Sequence, residues 1–323
     1  MYLFELSIIL LFTFIGYLVI KQKFFPDYFL DHPDNKRKKH KISVPKLGII
    51  FFIPILIIIS FIDTSFKYNN SFIVFSIILI IFGLLDDAIS IKWVGRISFE
   101  FILILSFILF NEKIIIGPLN INNVFLEELV RFNNHYFNFF FTIFCFVALI
   151  NALNFYDGID NNLSSFLIIL FLFFYLKTSN ILCLLIILNL ISFSFFNYKK
   201  LVFLGSASIY FFTFIIFNFT IFYHNTFKIG ADEIFIMLLY PGLDMIRLFF
   251  FRIINKQSPF HSDRNHLHHI LSQQFSDGYA LILNIIPLLV CLLILSFESV
   301  SNLYGLVFII LYYITLINYK KKK

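Results

Sequence analysis

Charged residues are scarce in this sequence. Only 14% of its 323 residues are Asp, Glu, Lys or Arg, whereas 60% are apolar and 49 are Phe. A water-soluble domain carries about 25% charged and about 45–50% apolar residues, so a soluble globular enzyme is excluded. Cysteine is also scarce: Cys145, Cys183 and Cys291 lie singly in apolar runs. Their spacing excludes a metal knuckle or a redox motif, and we interpret them as small core residues.

Long apolar runs fill most of the chain. Because a membrane helix needs about 20 apolar residues, these runs predict an all-α polytopic membrane protein with about eleven transmembrane helices. The runs lie at 2–20, 47–62, 71–85, 97–110, 137–152, 163–177, 181–196, 207–223, 234–251, 279–297 and 303–319. They are apolar throughout, which favours helices over the alternating strands of a membrane β-barrel. Too few residues remain for a soluble domain, so residues 1–323 are expected to form a single integral-membrane domain.

Lys and Arg are unevenly distributed over the loops. With the N-terminus outside and the C-terminus in the cytoplasm, 20 of the 25 Lys and Arg residues fall in cytoplasmic segments. Because cytoplasmic loops carry the excess of positive charge, this orientation is predicted. The net charge of +6 is compatible with nucleic-acid binding, but basic residues beside apolar runs usually set topology and attract anionic lipid. No nucleic-acid partner is expected. The sequence shows no internal repeat, which weakens the case for a transporter.

Polar residues beside the apolar runs gather at the predicted cytoplasmic side. Ionisable residues at membrane depth are costly and therefore indicate function. Asp86 and Asp87 end the third run. Adjacent carboxylates repel each other unless they share a cation or a proton, and Mg²⁺ binds one or two carboxylates together with substrate phosphates. The pair therefore predicts a Mg²⁺ or Mn²⁺ site, and a solvated helix end is the competing interpretation.

A polar segment with a three-residue period ends the fifth run. Asn151, Asn154, Asp157 and Asp160 would share one face of a helix, and Gly158 would let the chain turn or approach a ligand closely. Such a face binds a base or a sugar and supplies acids beside a metal. A capping and turn segment is an equally good interpretation of the same pattern.

Four histidines occur within nine residues of the segment 258–269. A zinc site needs further ligands in a closed geometry, and no cysteine lies nearby. Together with Arg264, the residues His266, His268 and His269 are better suited to bind a diphosphate by charge-assisted hydrogen bonds. A pH sensor or a structural loop remains an alternative.

A basic stretch follows the first run and includes Lys41 and Lys46. Such a stretch is usually a topology signal. It also attracts an anionic headgroup or a nucleotide.

Taken in order, these segments resemble the polyprenyl-phosphate N-acetylhexosamine-1-phosphate transferases, the WecA and MraY type of membrane enzyme in glycosyltransferase family 4. The matching segments are His40 to Gly48, Leu85-Asp86-Asp87, Asn151 to Asp160 and Ser258 to His269. The resemblance covers nearly the whole chain and includes the eleven-helix layout. The last segment is similar to the WecA branch, so a phospho-MurNAc-pentapeptide translocase is the less favoured alternative.

The resemblance implies transfer of an N-acetylhexosamine 1-phosphate from a UDP-sugar to undecaprenyl phosphate, with release of UMP. The reaction would initiate lipid-linked polysaccharide synthesis, such as that of lipopolysaccharide O-antigen, in the bacterial inner membrane. The active site would be cytoplasmic and built from loops 21–46, 86–96, 153–162, 197–206 and 252–278. UDP-N-acetylhexosamine, undecaprenyl phosphate and membrane lipid are the implied partners, and homodimerisation is left open.

The resemblance also assigns roles to single residues. The implied catalytic residues are Asp86, Asp87, Asp157 and Asp160, and the implied metal ligands are Asp87 and Asp160. The implied substrate-binding residues are Lys41, Lys46, Asn151, Asn154, Phe203, Arg264, His266, His268 and His269. Phe203 is a candidate for stacking on uracil, although a packing role is nearly as well supported in a chain this rich in Phe.

The chain departs from the family at one expected metal ligand. Where the family has Asp before its eighth span, this chain has Ser206. A neutral hydroxyl is a much weaker Mg²⁺ ligand than a carboxylate. Compensation by Asp160, weaker metal binding, or an impaired paralogue that binds nucleotide sugar or lipid phosphate without turnover are the alternatives.

Overall fold

A computed structural model of the chain describes residues 2–22, 25–33, 42–61, 71–121, 134–259, 265–297 and 301–320. These residues form helices, together with a short two-stranded ribbon of β1 (Leu30–Asp31) and β2 (Val44–Pro45). The helices are α1 (Tyr2–Lys21), α2 (Ile49–Phe61), α3 (Ser71–Ile89), α4 (Trp93–Phe110), α5 (His135–Tyr156), α6 (Asn162–Thr178), α7 (Ile181–Tyr198), α8 (Gly205–Asn225), α9 (Ala231–Ile254), α10 (Leu267–Gln274), α11 (Asp277–Ser296) and α12 (Asn302–Lys320).

Nine helices in the described part of the chain are long and apolar enough to cross a membrane: α1, α3, α4, α5, α7, α8, α9, α11 and α12. Two further apolar helices, α2 and α6, are shorter, at 13 and 17 residues. The chain is therefore an all-α polytopic membrane protein, as its composition predicts. Each predicted run contains an apolar helix, while the number of crossings and the orientation stay predictions.

Most helices begin or end a few residues away from the predicted run ends, and two of them extend into the predicted polar segments. α3 continues to Ile89 and α5 to Tyr156, so both helices run four residues past the predicted ends of their apolar runs. Backbone hydrogen bonding does not require apolar side chains, and the polar residues of the last turns find local partners. The segment around 267–274, expected to be a loop, instead forms α10.

The chain divides into two compact units. Unit 1 contains Met1–Ile114 and Asn180–Phe219. In it, α1 packs on α2 and α7, α2 packs on α3 and α7, and α3 packs on α4. Phe rings fill the core: the ring of Phe212 in α8 lies 4.7 Å from that of Phe52 in α2. Close ring contacts of this kind explain how a chain with so much Phe packs densely.

Unit 2 contains Ile115–Ser179 and Thr220–Lys323. In it, α9 packs on α5, α11 and α12, while α11 packs on α6, α10 and α12. The helices α5, α9, α10 and α12 therefore belong to one unit, and α5 and α10 carry the predicted site residues Asn151, Asn154, His268 and His269.

A buried chain of amides fixes the connection between α5 and α6. Tyr240 donates to Asn284 Oδ1 at 3.0 Å, and Asn284 Nδ2 donates to Asn162 Oδ1 at 3.1 Å. Asn162 Nδ2 in turn donates to the carbonyl of Tyr156 at 2.7 Å. Because buried polar groups are costly without partners, these bonds hold the end of α5 against α9 and α11 and position the segment that follows.

Candidate active site

Two adjacent carboxylates lie in the last turn of α3. Asp86 and Asp87, called the acid pair below, are only 8% and 7% exposed. The backbone N–H of Ile91 donates to Asp86 Oδ1 at 3.1 Å, and the Arg96 guanidinium of α4 lies 3.7 Å from Asp86 Oδ2. The acid pair is therefore buried and has polar partners, which argues against a solvated helix end.

Ser206 contacts both members of the acid pair. Its N–H donates to Asp87 Oδ2 at 2.7 Å, and its Oγ lies 3.1 Å from Asp87 Oδ1 and 3.2 Å from Asp86 Oδ2. Ser206 also lies in the first turn of α8, where the helix dipole favours nearby negative charge. The residue that replaces the expected Asp therefore stabilises the acid pair by donating hydrogen bonds to it.

The basic stretch meets the acid pair through backbone contacts at Gly205. Gly205 has φ +74°, a conformation that favours glycine. A Cβ at this position would lie 2.8 Å from Asp87 Oδ2 and would overlap the carbonyl oxygen of Lys46. The Lys46 ammonium lies 3.8 Å from Asp31 Oδ1, so the ribbon β1–β2 holds it by an ion pair. Lys46 thus belongs to the surroundings of the acid pair.

Two backbone hydrogen bonds join the segment around Phe203 to the end of the ribbon. Gly48 N–H donates to the Phe203 carbonyl at 3.0 Å, and Phe203 N–H donates to the Pro45 carbonyl at 2.9 Å. The side chain of Phe203 is half-buried. These bonds fix the backbone that leads into Ser206, and stacking of Phe203 on uracil stays a prediction.

The carboxylate oxygens of the acid pair are suitable ligands for a hard cation that takes its remaining ligands from other oxygen atoms. In the described ranges, no group of three or more His, Cys, Asp or Glu side chains is placed to hold a metal. Mg²⁺ commonly binds one or two carboxylates and takes water and substrate phosphate oxygens as its other ligands. The acid pair matches that pattern. Asp160 lies in unit 2, and its predicted role as a metal ligand stays a prediction.

The polar segment after α5 is half helix and half turn. Asn151 and Asn154 lie in the last turns of α5, Asp157 is its C-terminal cap residue, and Asp160 follows in a turn. Asn151 Nδ2 donates to the carbonyl of Val147 at 2.8 Å within the helix. Each of the two interpretations of the three-residue period therefore describes one half of the segment.

Gly158 lies directly against the imidazole of His268. A Cβ at Gly158 would lie 2.5 Å from His268 Cε1 and 2.6 Å from Cδ2, and would overlap Nε2. The close approach expected at this glycine is thus made by a side chain of the same protein. It brings together the Asn/Asp segment and the histidine segment, which are about 110 residues apart in the sequence.

His268 is buried, and burial disfavours its charged form. It is 2% exposed, and its Nε2 has no hydrogen-bond partner within the part of the chain that the structure describes. Burial lowers the pKa of His268 well below its usual value; His269 and His266 lower it further, and Asp244 opposes them. Burial therefore disfavours a positive charge on His268, and Gly158 covers its Nε2.

The three histidine rings cluster at the start of α10, with His266 stacked on His268 and His269 edge-on to both. The rings of His266 and His268 lie 5.4 Å apart with an 18° angle between their planes, and those of His268 and His269 lie 4.2 Å apart. Phe155 packs edge-on against His266 at 5.3 Å, and the Arg252 guanidinium lies 5.6 Å from the same Phe ring. Imidazole, aromatic and guanidinium groups thus meet in unit 2.

Asp244 holds this cluster from α9, although the sequence pattern gave it no role. His266 Nδ1 lies 3.2 Å from Asp244 Oδ2, and Arg247 and Tyr313 donate to Asp244 Oδ1 at 2.8 and 2.9 Å. An Asp within an apolar run was the available signal. Tyr313 gave no signal, because one more aromatic in an apolar helix resembles a packing residue.

Two predicted substrate-binding residues, Lys41 and Arg264, lie outside the described residues, as do parts of the loops 21–46 and 252–278. Their roles stay predictions.

Comparison with known proteins gives consistent results. Residues 70–224 match the family model described as glycosyl transferase family 4. The chain is 28% identical over 280 residues to the undecaprenyl-phosphate alpha-N-acetylglucosaminyl 1-phosphate transferase of Thermotoga maritima, covering 86% of this chain and 81% of the relative. It is 25% identical over 283 residues to the protein of the same name from Escherichia coli K12, covering 79% and 72%. These matches confirm the resemblance identified from the four sequence segments.

Proposed function

Because residues 70–224 match the model of glycosyl transferase family 4 and the chain is similar to undecaprenyl-phosphate alpha-N-acetylglucosaminyl 1-phosphate transferases, we propose that it transfers N-acetylglucosamine 1-phosphate from UDP-N-acetylglucosamine to undecaprenyl phosphate. An oxygen of the lipid phosphate attacks the sugar-bearing phosphorus, the bond between the two phosphates of the donor breaks, and UMP leaves with the bonding electron pair. The product is a lipid-linked diphosphate sugar. The observation that carries this proposal is the buried acid pair at the end of a membrane helix. The chain that carries it is similar to undecaprenyl-phosphate alpha-N-acetylglucosaminyl 1-phosphate transferases.

In this proposal the acid pair holds Mg²⁺ or Mn²⁺. The metal, when bound, neutralises negative charge on the phosphate oxygens. The chain's own residues prepare the site: Arg96 and the first turn of α8 offset the repulsion between the two carboxylates, and Ser206 fixes the orientation of Asp87. Phosphoryl transfer depends mainly on positioning and charge neutralisation. A preorganised acid pair therefore favours an active enzyme over an impaired paralogue.

The cluster in unit 2 is proposed to bind the donor. His266, His268 and His269 are proposed to donate ring N–H groups to diphosphate oxygens, His266 through Nε2 when its ring is protonated, and the predicted Arg264 would add charge. Asn151 and Asn154 are proposed to bind the uridine through their amides, beside the acids Asp157 and Asp160. Lys41, Lys46 and Phe203 are proposed as further contacts of the nucleotide. The close packing of Gly158 on His268 supports a shared role for the two segments.

We further propose that the protein resides in the bacterial inner membrane with its N-terminus outside and its reacting groups on the cytoplasmic side. The excess of Lys and Arg in the predicted cytoplasmic loops supports this orientation, as does the cytoplasmic origin of UDP-sugars. Reporter fusions at each terminus test it: a cytoplasmic reporter should be active at the C-terminus and inactive at the N-terminus.

The decisive experiment is UMP release by purified protein in detergent. The protein is supplied with undecaprenyl phosphate, a panel of UDP-N-acetylhexosamines, UDP-MurNAc-pentapeptide, and a titration of Mg²⁺ or Mn²⁺. We expect metal-dependent release with UDP-N-acetylglucosamine, lost in Asp87→Asn. Asp232→Asn is the matched control and should keep wild-type activity. Asp232 lies in the first turn of α9, twelve residues before Asp244. It accepts a hydrogen bond from Asn302, and the amide oxygen of Asn could accept the same bond.

Each other outcome has a definite meaning. Folded protein that releases no UMP with any donor, but binds UDP-N-acetylglucosamine in calorimetry, would support the impaired paralogue. Release with UDP-MurNAc-pentapeptide alone would support the translocase. Equal activity of Asp87→Asn and wild type would exclude the acid pair from the reaction.

A further inference from the structure

Asp244 is a buried carboxylate inside a membrane-spanning helix, and it accepts hydrogen bonds from four residues. It is 6% exposed. Arg247 Nη2 donates to Oδ1 at 2.8 Å, and the Tyr313 hydroxyl donates to the same oxygen at 2.9 Å. The N–H of Leu267 lies 3.2 Å from both oxygens, and His266 Nδ1 lies 3.2 Å from Oδ2. These donors come from α9, α12 and the start of α10.

The donors of Asp244 also bond to one another. Arg247 Nε donates to the Tyr313 hydroxyl oxygen at 2.8 Å, so Asp244, Arg247 and Tyr313 form a closed hydrogen-bonded ring. A charged, fully connected network in a low-dielectric interior is rigid, because each lost bond leaves a buried group without compensation. Asp244 Oδ1 is therefore fixed by α9 and α12, and Oδ2 faces His266.

A carboxylate can only accept hydrogen bonds, so the ring of His266 must donate its Nδ1–H to Asp244. The hydrogen bond made by one ring nitrogen determines which tautomer is present. Neutral His266 therefore carries its lone pair on Nε2, and Nε2 becomes a second donor only when the ring is protonated. The same contact sets the plane in which His266 stacks on His268.

We propose that Asp244 is a positioning residue of the transferase: it fixes the tautomer and the ring orientation of His266, while Tyr313 and Arg247 hold Asp244 in place. This proposal rests on the proposed function in one respect, the binding of the donor diphosphate by His266. The orientation of His266 by Asp244 does not depend on it. It makes the last helix, α12, part of the support of the donor site, although the sequence of that helix carries no motif.

A purely structural role for Asp244 is the alternative. His266 is the N-cap residue of α10 but makes no side-chain cap bond, and Asp244 instead accepts the N–H of Leu267. Asp244 could thus serve only to cap α10. An amide at this position still offers one oxygen to Leu267, but its NH₂ group can donate to His266 Nδ1 and favours the opposite tautomer. The two roles therefore separate in Asp244→Asn.

The test is ¹⁵N NMR of the full-length protein in detergent, labelled at its eight histidines, with His266→Gln to assign the His266 signals. We expect a pyrrole-type Nδ1 and a pyridine-type Nε2 for His266 in the wild type, and the reverse in Asp244→Asn. An unchanged His266 signal in Asp244→Asn would overturn the proposal. If that variant does not fold, the wild-type spectrum decides by itself: a neutral His266 with its proton on Nε2 and none on Nδ1 would overturn the proposal.

Kinetics give a second readout with a matched control. Asp244→Asn should lower kcat/KM for the UDP-sugar about 10–100-fold, the size of effect typical of a lost orienting partner. Tyr313→Phe should keep the tautomer and give a smaller loss. Tyr312→Phe should match the wild type, because Tyr312 donates to the Leu283 carbonyl at 2.9 Å and not to Asp244. Wild-type kinetics in Asp244→Asn would refute positioning.

Failure of the proposed function is distinguishable from failure of this proposal. If wild-type protein releases no UMP with any donor, the function is wrong, while the tautomer experiment still decides whether Asp244 fixes His266.

Discussion

Gly158 has no room for a side chain, and Gly158→Ala therefore tests the placement of the His268 ring. The added Cβ would lie 2.5 and 2.6 Å from two ring carbons of His268, whereas carbon atoms in contact are normally about 3.5–4.0 Å apart. The ring and the backbone at 158 must then separate by about 1 Å or more. Because a misplacement of about 1 Å at a catalytic site costs on the order of 10²-fold in rate, we expect kcat/KM for UMP release to fall about 100-fold.

Gly242→Ala is the matched control for this exchange. A Cβ at Gly242 meets nothing within 4 Å, and Ala in a helix interior is favoured over Gly by about 0.5–1 kcal/mol. This variant should keep its activity and have an equal or higher Tm. Tm measurements on both variants in detergent separate a local displacement from unfolding. Wild-type activity and Tm in Gly158→Ala would refute the packing of His268 on Gly158.

Three further predictions follow from other contacts. Ser206→Asp places a third carboxylate beside the acid pair, so the Mg²⁺ concentration that gives half-maximal UMP release should be lower than in the wild type. Like-charge repulsion should lower the Tm of this variant in metal-free buffer. An unchanged Mg²⁺ titration would contradict this prediction. Asn284→Leu leaves buried partners of the amide chain unpaired at about 1–3 kcal/mol each, so its Tm should drop well below that of the wild type. Because burial lowers the pKa of His268, the unfolded chain below about pH 6.5 binds a proton that the native chain does not. Tm should therefore fall between pH 7 and pH 5, and fall less in His268→Gln.

The helices could be predicted from the sequence because apolar composition alone determines which segments partition into a bilayer. The helix ends could not. At Asp86 and Asn151 the side chains turn polar while the backbone continues as helix, since Ile91 N–H and the Val147 carbonyl supply partners. α10 was also missed, because its eight residues are too short for a periodic pattern to stand out among clustered histidines.

The clustering of the candidate residues was predictable where polar side chains are concentrated in a short stretch, as in the acid pair and the histidine segment. It was not predictable where a role depends on contact between distant positions. Tyr313 is 69 residues from Asp244, and nothing local separates it from Tyr312, its neighbour in α12. The same holds for Gly158, whose glycine requirement comes from the ring of His268 and not from its own backbone conformation.

Ser206, in place of the Asp expected from the resemblance, changes the electrostatic balance of the acid pair as well as the proposed set of metal ligands. Two buried carboxylates repel each other, and here the repulsion is offset by Arg96, by the first turn of α8 and by the hydroxyl and N–H of Ser206. A carboxylate at 206 would remove the hydroxyl donor and add a third negative charge, so the folded protein would depend on a bound cation for stability. With Ser206 the acid pair keeps a hydroxyl donor and should attract a cation less strongly. In the proposed metal site, substrate phosphates, which supply further oxygen ligands and negative charge, would then be the main contribution that completes the shell of the cation.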